Sequence, residues 1–243
     1  VYQLNDEEIH LKFLLNLSVH IDGIGDFHAP LIKEIVNTTE LKYNHSLSAL
    51  LLDKKNISQE NIEQYTNYQV VSSAIYHDSS FRELFFCGLN LHLNKEPIMH
   101  EQGFLYFDEL SEDSILTEEK FGYMRKLVTI ANNISIDEED EYDPGNELAR
   151  KFIEKQKKKK ANLTKYQKQT VNLRSIISGV GWKAQSFELI SKLNIYQLYD
   201  GYGRLGVIDN YHYTMSGLYA GTVDSKSIKL PEINWANIIQ LKK

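Results

Sequence analysis

Apolar residues fall on every second position of "LKFLLNLSVHI": Leu11, Phe13, Leu15, Leu17, Val19 and Ile21. That period predicts a β-strand with one buried face. "DGIGD" follows as a turn. The period then lengthens. In "APLIKEIVNTTELKYNHSLSALLL", Leu31, Ile32, Ile35 and Val36 share a helical face, and Leu47, Leu50 and Leu51 repeat it. Pro30 suits a first helical turn. A further helix is expected in "SQENIEQYTNYQVVSSAIYHD", capped by Ser58, with Ile62, Tyr65, Val70 and Ile75 facing inward. "LFFCGLNLHL" and "IMHEQGFLYF", joined by "NKEP", suit two strands of a hairpin. In "TEEKFGYMRKLVTIANN", Thr117 is the expected cap and Glu118 and Glu119 sit at the positive end of the helix. Phe121, Met124, Leu127 and Val128 form its inward face.

The last third of the chain reads as helix throughout. "NELARKFIEKQKKKK" carries Leu148, Phe152 and Ile153 on one face behind an Asn146 cap, and its lysine end projects into water. "NLRSIISGVGWKAQ" places Leu173, Ile176, Ile177 and Val180 together. Ile195, Leu198, Tyr199, Tyr202, Leu205, Ile208 and Tyr211 then form a long helical stripe. Trp182 and Trp235 are large apolar groups available to cover it.

Charge divides the chain. "DEEDEYD" (137–143) holds six acids, and Ala149 to Lys168 holds nine Lys or Arg against the single acid Glu154. Pro144 and Gly145 break the chain between them. The expected organisation is a mixed domain over 1–136, a charged linker and basic helix over 137–168, and a helical domain over 169–243. The fold class is α+β, mainly helical, with a small sheet or hairpin in the N-terminal domain.

Composition narrows the function. With 42% hydrophobic and 25% charged residues the chain has ordinary globular composition. A net charge of −6 argues against a protein devoted to nucleic acid. Its one cysteine, Cys87, excludes an internal disulfide and sits in an apolar run, as a buried inert thiol does. The acidic start "VYQLNDEEIH" has no basic leader, and no apolar run is long enough to span a bilayer.

"YDGYGRLGVID" holds Gly201, Gly203 and Gly206 as G-x-G-x-x-G, with Asp224 beyond. A dinucleotide fingerprint needs a strand before the first glycine and a helix after it. Here the preceding apolar spacing is already helical, and only 37 residues follow Gly206. The expected structure is a helix carrying glycines, each costing roughly 1 kcal/mol relative to Ala.

Taken together, "FHAPLIKEIVNTTELKYNHSLSALLLDKKNI", the acidic break, "PGNELARKFIEKQKKKK", "LRSIISGVGW" and "LNIYQLYDGYGRLGVIDNYHYTMSGLYAG" resemble a family of phage and prophage proteins from low-GC Gram-positive hosts. The resemblance spans most of the chain and rests on structural patterns. It implies a product of the virion structural region, tail assembly above all, and brings no catalytic residue with it. Gly201 and Gly203 depart from the pattern, where ordinary helix formers are expected.

No chemical motif competes. His10, His20, His28, His45, His77, His92, His100 and His212 show no metal-ligand spacing, and no nucleophile elbow or P-loop occurs. The acidic clusters lack Ca²⁺-loop spacing. Asp200, between Tyr199 and Gly201 on the aromatic helix, is the one odd candidate for general acid–base catalysis, and an acid on the solvent edge of an amphipathic helix is the far commoner case. The expected function is therefore non-enzymatic phage morphogenesis through protein–protein contacts. The chain would act as a tail assembly chaperone, or as a tail, baseplate or connector component of the virion. It would work in the cytoplasm of the bacterial host during assembly, with no cofactor and no metal. The alternative is a nucleic-acid-binding or regulatory phage protein. The residues expected to bind partners are Lys157, Lys158, Lys159, Lys160, Tyr199 and Tyr202. Lys157 to Lys160 suit phosphates, an acidic partner or "DEEDEYD" of a neighbouring copy. Expected partners are other tail or virion proteins and further copies of the chain. A membrane is not among them.

Overall fold

The computed structural model describes residues 4–57, 62–134, 171–224, 226 and 228–238. The architecture is α+β and mainly helical. Nine α-helices and two two-stranded antiparallel sheets are present among the described residues.

The first expectation fails at the N-terminus. Residues Asp6–Leu14 form a helix, α1, and the strand β1 covers only Val19–Ile21. A capping box decides it: Asn5 accepts from the Glu8 amide and the Glu8 carboxylate accepts from the Asn5 amide. Asp6, Glu7 and Glu8 favour the positive end of this helix. Ile9 and Phe13, one turn apart, are buried, whereas Leu11, Leu15 and Leu17 are exposed, so the apparent alternation was not a buried face. β1 pairs with β2 (Gly25–Phe27), with Val19 opposite Phe27.

α2 (Ile32–Thr38) and α3 (Glu40–Leu50) meet at Thr39, whose hydroxyl accepts from the Lys42 amide. Pro30 stands just before the helix rather than in its first turn. α4 (Asn67–His77) starts at a Thr66–Gln69 capping box. The expected cap, Ser58, lies outside the described residues. Ile75 is buried as expected, whereas Tyr65 is exposed.

A second correction concerns "LFFCGLNLHL". It is the end of α5 (Ser79–Leu93), not a strand. Asp78 caps α5 by accepting from the Ser80 and Phe81 amides. Phe85, Leu89, His92 and Leu93 are buried at helical spacing, and Asn94 closes the helix in the left-handed region. The hairpin lies wholly within "IMHEQGFLYF": β3 (Ile98–Met99) pairs with β4 (Leu105–Tyr106). α6 (Glu118–Ala131) is capped by Thr117 and buries Phe121, Met124, Leu127 and Val128, as the sequence predicts.

The remaining helices are α7 (Leu173–Ala184), α8 (Phe187–Lys192) and α9 (Ile195–Tyr219). One hydrophobic cluster includes Phe13, Phe27, Phe85 and Leu127 from the first part and Ile176, Ile190 and Leu198 from the last. The expected linker, 137–168, lies outside the described residues.

Candidate functional site

The C-terminal helical layer carries both described residues expected to meet a partner. Its attachment begins at α7, where Asn172 caps the helix and Leu173, Ile176 and Val180 face the core. Gln185 ends α7 in the left-handed region, and Ser186 caps α8. Phe187 folds back over Gly181, where any side chain would collide with its ring.

Asn194 fixes the start of α9 and is almost fully buried. Its Oδ1 accepts from the Gln197 amide at 2.8 Å. Its Nδ2 donates to the Phe13 carbonyl at 2.8 Å and to Asn16 Oδ1 at 2.9 Å. Gln197 Nε2 donates to the Leu14 carbonyl. The amides of Ile32 and Ile195 donate to the Leu193 and Pro30 carbonyls respectively, so the two chain segments join like strands. One asparagine thus caps α9 and satisfies the end of α1.

α9 runs unbroken through the glycines. Gly201, Gly203 and Gly206 lie inside one 25-residue helix, so neither a strand nor a loop frames them. The expected stripe grades outward: Ile195 and Leu198 are buried, Tyr199, Leu205, Ile208 and Tyr211 are half-buried, and Tyr202 is exposed. Burial, then the nearby Glu40 carboxylate, raises the Tyr199 pKa. Glu40 Oε1 also accepts from the Leu173 amide at the start of α7. Lys157, Lys158, Lys159 and Lys160 lie outside the described residues.

Several exposed side chains of this layer depart from the sequence reading. Trp182, expected to cover the stripe, is instead 73% exposed and meets the Phe187 ring edge-on, with Leu189 also exposed. Tyr213 and Tyr219 are 76% and 84% exposed. Trp182 is out of phase with Leu173, Ile176 and Val180, which is the signal that it faces outward. Trp235 is half-exposed, and Arg204 donates to the carbonyls of Trp235 and Asn237. Lys183 holds Asp209 at 2.8 Å, tying α7 to α9.

The polar groups of the interior are engaged in packing. His10 Nδ1 lies 3.0 Å from the Tyr196 hydroxyl, and burial followed by the Asp200 and Glu7 charges pushes Tyr196 up to about 12. Asp200 therefore acts on a tyrosine that stays protonated. The buried Tyr43 hydroxyl donates to Asn132 Oδ1, whose Nδ2 donates to the Val128 carbonyl. A small cavity of about 40 Å³ lies beside them, lined by Glu40, Leu173, Ile195 and Tyr199 among others. An open groove of about 950 Å³ includes Tyr68, Phe121, Arg125 and Lys126. Its cations are occupied: Arg125 donates to the Leu51 carbonyl and Lys126 pairs with Asp6. A second groove, about 750 Å³, mixes apolar groups such as Leu52, Ile57, Val70 and Ala74 with Gln64, Gln69, Ser73 and His77. Among the described residues no group of three or more His, Cys, Asp or Glu is placed to hold a metal. No helix among them is long and apolar enough to cross a membrane.

The layer is therefore helical, with exposed aromatic groups beside the charged Arg174, Lys183, Glu188 and Lys192. Residues 157–240, which include α7 to α9, match a family model described as the YomV second domain. YomV is a Bacillus prophage-type protein. The match leaves α1 to α6 outside it. No curated protein and no solved structure matches the chain.

Proposed function

We propose that this chain is a non-enzymatic phage morphogenesis protein that acts through protein–protein contacts. It works in tail assembly in the manner of a chaperone, or as a tail, baseplate or connector component, in the host cytoplasm during assembly. The observation that carries this reading is the match of residues 157–240 to a domain of a prophage-type protein. The surface of that region supports it. Trp182, Phe187, Leu189, Tyr213 and Tyr219 are exposed there, and exposed aromatic groups mark interaction sites.

Deleting the gene from an inducible prophage tests the proposal. Electron microscopy of the induced lysate should show tail-less particles or particles with defective tails. Mass spectrometry of purified wild-type particles then separates a virion component, which is present at fixed stoichiometry, from a chaperone, which is absent. Normal, infectious particles from the deletion strain would overturn the proposal.

A further inference from the structure

The chain doubles back after α9. Gly221 stands at φ +70°, and the amides of Thr222 and Val223 both donate to the Gly217 carbonyl. A Cβ on Gly217 would lie 2.7 Å from Val223 Cγ2, so the reversal is tight. Further on, Arg204 Nη1 donates to the carbonyls of Trp235 and Asn237, each at 2.8 Å. Arg204 lies about 20 Å of helix before Gly217. Residues 228–238 therefore return along α9 from its end towards its start. Arg204 also begins a helix face. Ile208, Tyr211, Met215 and Leu218 follow it at alternating spacings of four and three, and all are half-buried. Asp209, held by Lys183 of α7, lies off this face, so α7 and the returning segment pack on different sides of α9.

The hold on the returning segment is slight. None of its residues is buried: Ile228 and Ile233 are half-buried and the others exposed. Its remaining hydrogen bonds close turns within itself, Glu232 to Lys229 and Asn237 to Asn234, Pro231 and Glu232 among them. Among the described residues, Arg204 makes the only hydrogen bonds between 228–238 and the rest of the chain. Segments with so little buried surface and so few hydrogen bonds open at low free energy. Asp200 provides the alternative for Arg204. It stands one turn earlier on the same helix, Tyr196 feels its charge, and it holds no ion pair among the described residues. An acid four residues before a cation is the favoured helical order for a pair.

We propose that residues 228–238 are a releasable strap over the Arg204–Leu218 face of α9, latched by Arg204, which turns to Asp200 when the strap leaves. Closed, the strap covers Ile208, Tyr211, Met215 and Leu218. Open, it bares them as an apolar stripe for a partner protein. The strap itself shows the chemistry of that partner: an extended segment with branched apolar side chains, whose main-chain carbonyls draw Arg204 back from Asp200. The use of the strap as a switch rests on the reading of the chain as one that works by contacts, whereas its release is measurable on the chain alone.

In the full chain, Trp182→Phe leaves Trp235 as the sole tryptophan, and acrylamide quenching then reads the strap. Trp235 is 50% exposed when the strap is closed, so Arg204→Gln should raise its quenching constant about twofold. The same variant should bind more of the apolar dye ANS and keep its melting temperature within a few degrees. Asp200→Asn removes the competing acid and should lower the quenching below that of the background chain. Unchanged quenching in Arg204→Gln, a rise without added ANS binding, or an Asp200→Asn chain quenched as much as the background or more would each overturn the proposal. So would a large drop in melting temperature on Arg204→Gln, which would make 228–238 part of the global fold. Normal particles from the deletion strain would remove the partner and leave these results standing.

Discussion

His92 gives the fold a pH dependence whose size follows from its surroundings. The ring is fully buried and stacked on Phe27, with centroids 4.7 Å apart. Nδ1 lies 3.0 Å from the His28 carbonyl, which can only accept, so Nδ1 carries the proton. Nε2 is buried without a partner. Protonating it would place a positive charge where no acceptor waits. Burial accordingly lowers the His92 pKa from 6.5 to about 4, opposed by the hydrogen bond to His28.

The folded pKa lies below the unfolded one, so the unfolded chain binds the proton more readily. The stability is fully present above the unfolded pKa of 6.5, falls as pH drops from there, and is lost in full below about 4. A shift of that size corresponds to about 3 kcal/mol, most of it lost by about pH 4.5. Urea unfolding at a series of pH values measures the loss, and His92→Asn isolates it from the titrating carboxylates. Asn keeps an N–H near the Nδ1 position but cannot take up the proton. It loses ring packing and is the less stable protein at pH 7, yet the gap to wild type should close by roughly 2–3 kcal/mol on acidification. Parallel pH profiles for the two proteins would refute the reasoning, as would an NMR titration placing the His92 ring near 6.5.

Three further substitutions probe the packing, each read by urea or thermal unfolding. Asn194→Ala removes a cap and the hydrogen bonds to the Phe13 carbonyl, which keeps the Asn16 amide, and to Asn16 Oδ1; the expected cost is about 1–3 kcal/mol, and a loss below about 0.5 would show that water replaces the amide. Gly88→Ala puts a Cβ 2.8 Å from Leu50 Cδ1 where α5 crosses α3; overpacking should outweigh the helical gain and cost about 1 kcal/mol net. Gly23→Ala drives a Cβ into the Asp113 carbonyl at a residue whose φ is +73°; a cost above about 2 kcal/mol is expected, and a neutral result would mean the 113 loop yields freely.

What the sequence revealed depended on how sharply each period stood out. α6, α7 and α9 were legible because polar residues separate their apolar stripes, with Thr117 marking the start of α6; Asn172 and Asn194 cap the other two without having been read as caps. "LFFCGLNLHL" has apolar residues at nearly every position, so strand and helix periods fit it equally. The deciding signal was Asp78, a cap set upstream of the run itself. α1 was missed for a related reason. Its capping box, Asn5 to Glu8, precedes a leucine run whose exposed members imitate a strand. Of the expected contact residues, Tyr202 reaches solvent while Tyr199 turns inward, because the stripe containing both wraps around the helix instead of following one face. Tyr213 lay off that stripe, and its exposure required the helix to continue through three glycines.

The docking of α9 bears on whether the region matched by the family model can stand alone. Residues 157–240 include Asn194, but the Phe13 carbonyl and Asn16 Oδ1 that accept from it lie outside the match. The same holds for the Leu14 carbonyl that accepts from Gln197 and for the Glu40 carboxylate at the start of α7. Ile176, Ile190, Ile195 and Leu198 are buried in the complete chain within a cluster shared with the N-terminal part. Excision would return much of this apolar surface to water, at roughly 1.5–3 kcal/mol for each large side chain fully exposed. A chain of residues 157–240 alone should therefore lack a cooperative thermal transition and exchange the amides of α7 rapidly. Adding residues 1–134 in trans should restore protection if docking supplies the missing groups. A cooperative melt of the excised chain, with Asn194→Ala there as costly as in the full protein, would show that the module supplies its own acceptors and that the contacts to α1 are dispensable.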